Sequence, residues 1–108
     1  MSRTVYGTRF FIEHYYSKDE RTLQRTKEEM RGREKYVSAI VIHEVYHLTL
    51  AREGRESAVL RTALLEKDFK IVKVDAEIAK GSAGFRHKYK LSMAGSMIAA
   101  TGSHLKAT

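Results

Sequence analysis

The chain of 108 residues has no cysteine, no proline, no tryptophan and no asparagine. Without cysteine there is no disulfide, no thiolate zinc site and no thiol nucleophile, which fits a cytoplasmic protein. Long apolar runs are missing as well. The longest aliphatic stretch, "AIVI" within "VSAIVI", falls far short of the ~20 residues that cross a bilayer. The start, "MSRTVYGTRF", is polar and carries no signal segment, so no membrane partner is expected. Scarce thermolabile residues beside abundant Lys, Arg and Glu point towards a thermophile, whereas the lack of proline points away from one.

Acids are absent from the last third. Residues 1–77 hold 15 Lys and Arg against all 13 acids, while residues 78–108 hold Lys80, Arg86, Lys88, Lys90 and Lys106 with no acid. Of the net charge of +7, this segment therefore supplies +5. Such a tail suggests an anionic partner, either nucleic acid or an acidic protein segment, with Arg86, Lys88 and Lys90 as the nucleic-acid contacts.

What is present reads as one domain, residues 1–108, in which strands alternate with one or two helices. "RTVYG", "KYVSAIV" and "FKIVKVD" are β-branched and apolar and are predicted as strands. "TRFFIEHYY" has helical spacing, and "SKDERTLQRTKEEMRG" is a polar helix closed by Gly32. "IHEVYHLTLAR" and "RESAVLRTALLEKD" are two further helices. Asp75 caps "AEIAKGSAGFRHKYK", and a last helix opens at Ser92. The pattern predicts an α/β domain with a parallel sheet and right-handed crossovers. The chain stops where such a fold would turn into a further strand.

His43, Glu44 and His47 stand at the H-E-x-x-H spacing of zinc peptidases, in which two His one turn apart hold the metal and Glu is the general base. With this composition the motif arises by chance in roughly 2% of such chains. A catalytic zinc also needs a third protein ligand. The extended motif would place Gly at 50 and His at 53, where this chain has Leu50 and Glu53. Nothing in the spacing selects Glu66, Asp68 or His87 instead. Counted at 100° per residue from Val41, both His lie far from Val45, Leu48 and Arg52, so they read as the solvent side of an amphipathic helix. Zinc is not expected.

Three ordered blocks carry a resemblance. They are "VYGTRFFIEHYY", "YVSAIVIHEVYHLTLAREGRE" and "LLEKDFKIVKVDAEIAKGSAGFRHKYKLSMAGSMIAAT", containing T-x-x-x-I, S-A-I-x-x-x-E and K-Y-x-L-S-M-A-x-S-x-I-A-A-T. Together they resemble an archaeal PIN domain of the VapC toxin type. The resemblance implies a three-layer α/β domain, a parallel sheet flanked by helices, truncated here after the helix that precedes the fourth strand. It also implies a Mg- or Mn-dependent single-strand endoribonuclease whose carboxylates sit at the C-terminal strand ends. Glu44 falls on one of those acids, as catalytic and metal-binding residue, with Thr8 and Ser96 beside the site. The first and third acids would stand at positions 7 and 95, where this chain has Gly7 and Gly95.

Either those glycines permit tight backbone turns or they mark lost carboxylates. Gly95 is odd on local grounds, because the fourth residue of a capping box opened by Ser92 should be Glu, Gln or Asp. One exposed carboxylate cannot hold an octahedral magnesium against water. The expectation is a catalytically dead or nearly dead nuclease centre, with a non-enzymatic module that binds nucleic acid or an acidic, antitoxin-like peptide as the alternative. A homodimer is also expected, because the strand that would cover the first strand is lacking.

Overall fold

In the computed structural model, which describes residues 2–107, Arg3–Val5 (β1), Glu34–Ser38 (β2) and Lys70–Val72 (β3) form a parallel sheet in the order β1-β2-β3. Six helices surround it: Thr8–Tyr16 (α1), Glu20–Glu29 (α2), Ala39–Glu53 (α3), Arg55–Asp68 (α4), Ala76–Tyr89 (α5) and Met93–Leu105 (α6). The strand–helix alternation expected from the sequence is present.

All three strands stop short of the runs predicted for them, β1 already at Val5. β2 was expected to continue through Val41, but Ser38 leaves the sheet and caps α3, its hydroxyl accepting from the Ile40 amide at 3.4 Å. Ile40 and Val41 are β-branched, yet they are helical because packing overrides propensity. β3 ends early for the same cause. Its last register pair is Ser38 with Val72, so once β2 turns into α3, Lys73 and Val74 have no strand to pair with.

Helix ends follow the sequence closely. Asp19 caps α2, Asp75 caps α5 through the Ile78 amide at 2.9 Å, and Ser92 caps α6 through the Gly95 amide at 3.0 Å. Gly54 joins α3 to α4 at φ +91°, a conformation open to glycine and strained for other residues.

Tyr6, Phe11, Val37, Val41, Val45, Leu65 and Phe69 form the core. Phe69 meets Phe11 and Tyr6 edge-on, at 5.2 and 5.4 Å between ring centres. The buried stripe of α3 is Val41, Val45 and Thr49; Arg52, expected on that side, is exposed and lies over the Tyr16 ring at 4.5 Å. The stripe turns away from Arg52 because the helix end meets α1, where the ring offers the cation a face.

α5 and α6 pack closely on each other, as α3 and α4 do. At their centre the buried hydroxyls of Ser82 and Ser96 lie 2.9 Å apart. A Cβ on Gly81 would sit 3.6 Å from the Ala100 methyl, an ordinary contact, and one on Gly84 would meet nothing within 4 Å. Glycine inside a helix is about 1 kcal/mol less favourable than alanine, and packing gives no reason for it at Gly84.

Candidate functional site

β1 and β2 run parallel and both turn directly into helices at their C-terminal ends, the edge where parallel sheets usually hold ligands. Gly7 follows β1 and stands as the N-cap of α1, so Thr8 opens that helix. Glu44 comes one and a half turns into α3, after β2. The Thr8 hydroxyl donates to Glu44 Oε1 at 2.5 Å, joining the two strand exits.

Helix α6 approaches from the third side. A side chain built on Gly7 would meet Ile98 of α6 at 3.5 Å, and Gly95 lies one turn before Ile98 on the same helix face. Gly7, Thr8, Glu44 and the N-terminal half of α6 thus meet at one end of the sheet.

Neither glycine is required by the backbone. Gly7 has φ −99° and ψ 172°, extended geometry that any residue adopts, and among the described residues only Gly32 and Gly54 are glycines with positive φ. The tight-turn explanation for Gly7 and Gly95 therefore fails. Space differs between them: Gly7 has ordinary van der Waals room, whereas a Cβ on Gly95 would stand 3.0 Å from the Ser92 hydroxyl that caps its own helix.

Ser96 is not part of this edge. It is fully buried, donating to the Met93 carbonyl at 2.7 Å and facing Ser82, so it serves the α5–α6 contact. Arg86, Lys88 and Lys90 are exposed on the last turn and cap of α5, shortly before Ser92.

A magnesium or manganese ion takes about six oxygen ligands, several from carboxylates. Among the described residues Glu44 is the carboxylate bonded to Thr8 at this edge, and its Oε1 is already taken up by that hydroxyl. Among the described residues no group of three or more His, Cys, Asp or Glu is arranged to hold a metal. No buried side-chain nitrogen or oxygen among them lacks a hydrogen-bond partner. The residues present do not fit the family's metal pair. His43 and His47 are exposed, with ring centres 6.3 Å apart, on the side of α3 away from the core.

A second feature was not foreseen from the sequence. A groove of about 490 Å³ runs between α1 and α4, lined by Phe11, Tyr15, Met30, Leu60, Leu64 and Phe69. Leu60 and Leu64 are 61% and 52% exposed, so this face of α4 is left uncovered by the described residues. At its mouth Arg61 bonds the Tyr16 hydroxyl at 2.9 Å and the Glu53 carboxylate, and stacks over the Tyr15 ring at 4.4 Å. The Tyr16 hydroxyl, followed by Arg61, holds the Glu53 carboxyl below its ordinary range. Burial pushes the Tyr15 phenol up, against the pull of Arg61. The signal available in the sequence was the surplus of apolar residues in "RESAVLRTALLEKD": Val59, Leu60 and Leu64 lie outside the stripe that Ala58, Thr62 and Leu65 bury.

The sequence model of the PIN domain matches residues 7–108. The chain belongs to the PIN domain family. No curated protein matches it in sequence. Among solved structures, it is similar to a toxin–antitoxin complex from Klebsiella pneumoniae, with a TM-score of 0.74 and 22% identity over 96% of this chain and 81% of that one. It is also similar to VapBC2 from Rickettsia felis bound to a DNA fragment from their promoter, with a TM-score of 0.74 and 12% identity over 99% of this chain and 84% of that one. At these identities the likeness concerns the fold. The α/β architecture, a parallel three-stranded sheet flanked by helices, is that of these PIN-like structures.

Proposed function

We propose that this chain, as a single domain, is a VapC-type, toxin-like PIN protein. Its ribonuclease centre has contracted to one carboxylate, Glu44, and it acts by binding rather than by cutting RNA. The donor set carries this reading. Thr8 and Glu44 occupy the strand exits, while Gly7 and Gly95 stand without backbone need where the resemblance calls for acids. Phosphodiester hydrolysis needs metal both to generate hydroxide and to stabilise the leaving oxygen, and a lone carboxylate does not retain it.

The binding surfaces that remain are of two kinds. The groove between α1 and α4 suits an amphipathic helix that lays apolar anchors between Leu60 and Leu64, with an acidic residue near Lys35, since Glu53 already pairs with Arg61. An antitoxin-like protein has that chemistry, and both similar structures come from toxin–antitoxin pairs. The acid-free segment after Glu77 suits RNA. We place the protein in the cytoplasm; no helix among the described residues is long and apolar enough to cross a membrane.

Incubating the purified chain with single-stranded RNA and manganese tests the reading. Cleavage should be absent or marginal and unchanged in Glu44→Ala. Robust metal-dependent cleavage that Glu44→Ala abolishes would overturn it.

A further inference from the structure

Gly84 is a helix-interior glycine with open space where its side chain would be. The missing side chains of Gly81 and Gly84 leave a concavity of about 260 Å³ on α5, walled by Phe85, Lys88 and Tyr89. Phe85 and Tyr89, one turn apart, hold their rings within 24° of parallel at 6.0 Å between centres. Tyr89 is 55% exposed, and exposed Leu91 and Met93 continue the apolar surface beyond it. Lys88 lies over the Tyr89 ring at 5.3 Å. Arg86 and Lys90 flank it, and the nearest acid before this segment in the sequence is Glu77.

We propose that this face of α5 is a stacking platform for single-stranded nucleic acid, built from residues other than Thr8 and Glu44. A nucleobase has a flat face that stacks on Tyr89 or Phe85. Glycines at positions 81 and 84 let it approach the helix backbone, and Arg86, Lys88 and Lys90 neutralise the adjoining phosphates. An acidic peptide would meet the same cations but has no planar group for the ring. Nor does it need the hollow at Gly84.

This deepens the nucleic-acid part of the function proposed above and is tested separately from cleavage. Fluorescein-labelled oligouridine and oligothymidine are titrated with the full chain in EDTA, and anisotropy is followed over a range of salt. Binding should persist without divalent metal, with log K falling against log salt at a slope of about −2 to −3, as three or four neutralised phosphates give. Tyr89→Leu should weaken binding roughly five- to hundredfold at unchanged slope. Lys88→Gln should flatten the slope by about 0.7.

Gly84→Leu gives the sharpest test. It should raise the melting temperature, since leucine favours the helix, and at the same time weaken binding by filling the hollow. Binding of either oligonucleotide that Tyr89→Leu and Gly84→Leu both weaken supports the platform. If the wild type binds but Tyr89→Leu and Gly84→Leu bind equally well, the platform is wrong while the nucleic-acid reading stands. No binding even at low salt would overturn both. Displacement by polyglutamate at equal charge would reduce the face to simple electrostatics and overturn the platform.

Discussion

Thr8 and Glu44, 36 residues apart in sequence, stand hydroxyl to carboxylate at 2.5 Å where the first two strands end. The contact exists because β1 and β2 pair in parallel, so that both chains enter their helices at the same edge. Gly7 precedes Thr8 and Gly95 stands in the first turn of α6, the two positions where the family resemblance calls for further acids.

Thr8→Val removes the donor while keeping the side chain's shape. The partly buried carboxylate then loses one hydrogen bond, and stability should fall by roughly 0.5–1.5 kcal/mol. Urea unfolding followed by circular dichroism measures this, with Glu44→Gln as the companion variant. Equal midpoints in all three proteins would mean that the contact contributes nothing in solution.

Replacing Gly7 and Gly95 by aspartate should restore metal affinity, and the two positions should differ in tolerance. Gly7→Asp enters extended backbone with ordinary room beside Ile98, so its stability should hardly change. At Gly95 the new Cβ meets the Ser92 hydroxyl at 3.0 Å, so the cap must shift. An acid in the first turn of α6 returns about 0.3–1 kcal/mol through the helix dipole. The double variant should bind manganese, seen by water-proton relaxation, and cut single-stranded RNA above the wild-type level. A double variant that folds yet gains neither property would sink the view that these glycines mark lost carboxylates.

Stability should fall between neutral and mildly acidic pH because of His14. Burial first, and Lys27 second, lower its pKa below the usual 6.5. The unfolded chain therefore binds the proton before the folded one does. The contribution is fully present above 6.5 and is lost as pH drops through that value towards the lower folded pKa. The Thr26 hydroxyl donates to the Leu23 carbonyl, which leaves it to accept from His14 Nδ1 at 2.9 Å, a bond that protonation does not break. Glu53, whose folded pKa lies below 4.5, keeps its contribution above 4.5 and loses it as pH falls from there through the lower folded value. Urea midpoints at pH 7.5 and 5.5 in wild type and His14→Phe separate the two; an unchanged pH dependence in the variant would exclude His14 as the cause.

Self-association is expected as well. β1 is an edge strand of the sheet, short, opened by Arg3 and followed by Arg9. An open edge invites pairing with a second chain. Against this, the C-terminal end of α6 comes up to β1, where Arg3 reaches the Leu105 carbonyl at 3.4 Å. We expect a two-fold dimer in light scattering at micromolar concentration. A monodisperse monomer with protected amides along residues 3–6 would show that α6 already covers the edge.

Much of the fold was legible because its signals are local. Helix caps at Asp75 and Ser92 act within three residues, and the alternation of apolar runs with helical stripes is read directly from spacing. The ends of β2 and β3 were not legible. Ser38 breaks the strand by capping α3, and β3 stops because its neighbour has gone; each boundary depends on the other. The groove between α1 and α4 was hidden for a related reason. Its walls come from distant segments, and the exposed Leu60 and Leu64 had no visible reason to differ from core residues of the same type.

By itself the sequence determined the residue inventory of this protein: no thiol, no acid after Glu77, and glycine at positions 7 and 95. Composition is enough for these, since a missing functional group cannot be supplied by folding. The tertiary structure alone decided which surviving groups meet. It brought Thr8 to Glu44, moved Ser96 into the contact with Ser82, and left Phe85 and Tyr89 beside the hollow at Gly84. It also removed conformational necessity as a reason for Gly7, because φ is a property of the folded backbone and cannot be read from the letter G.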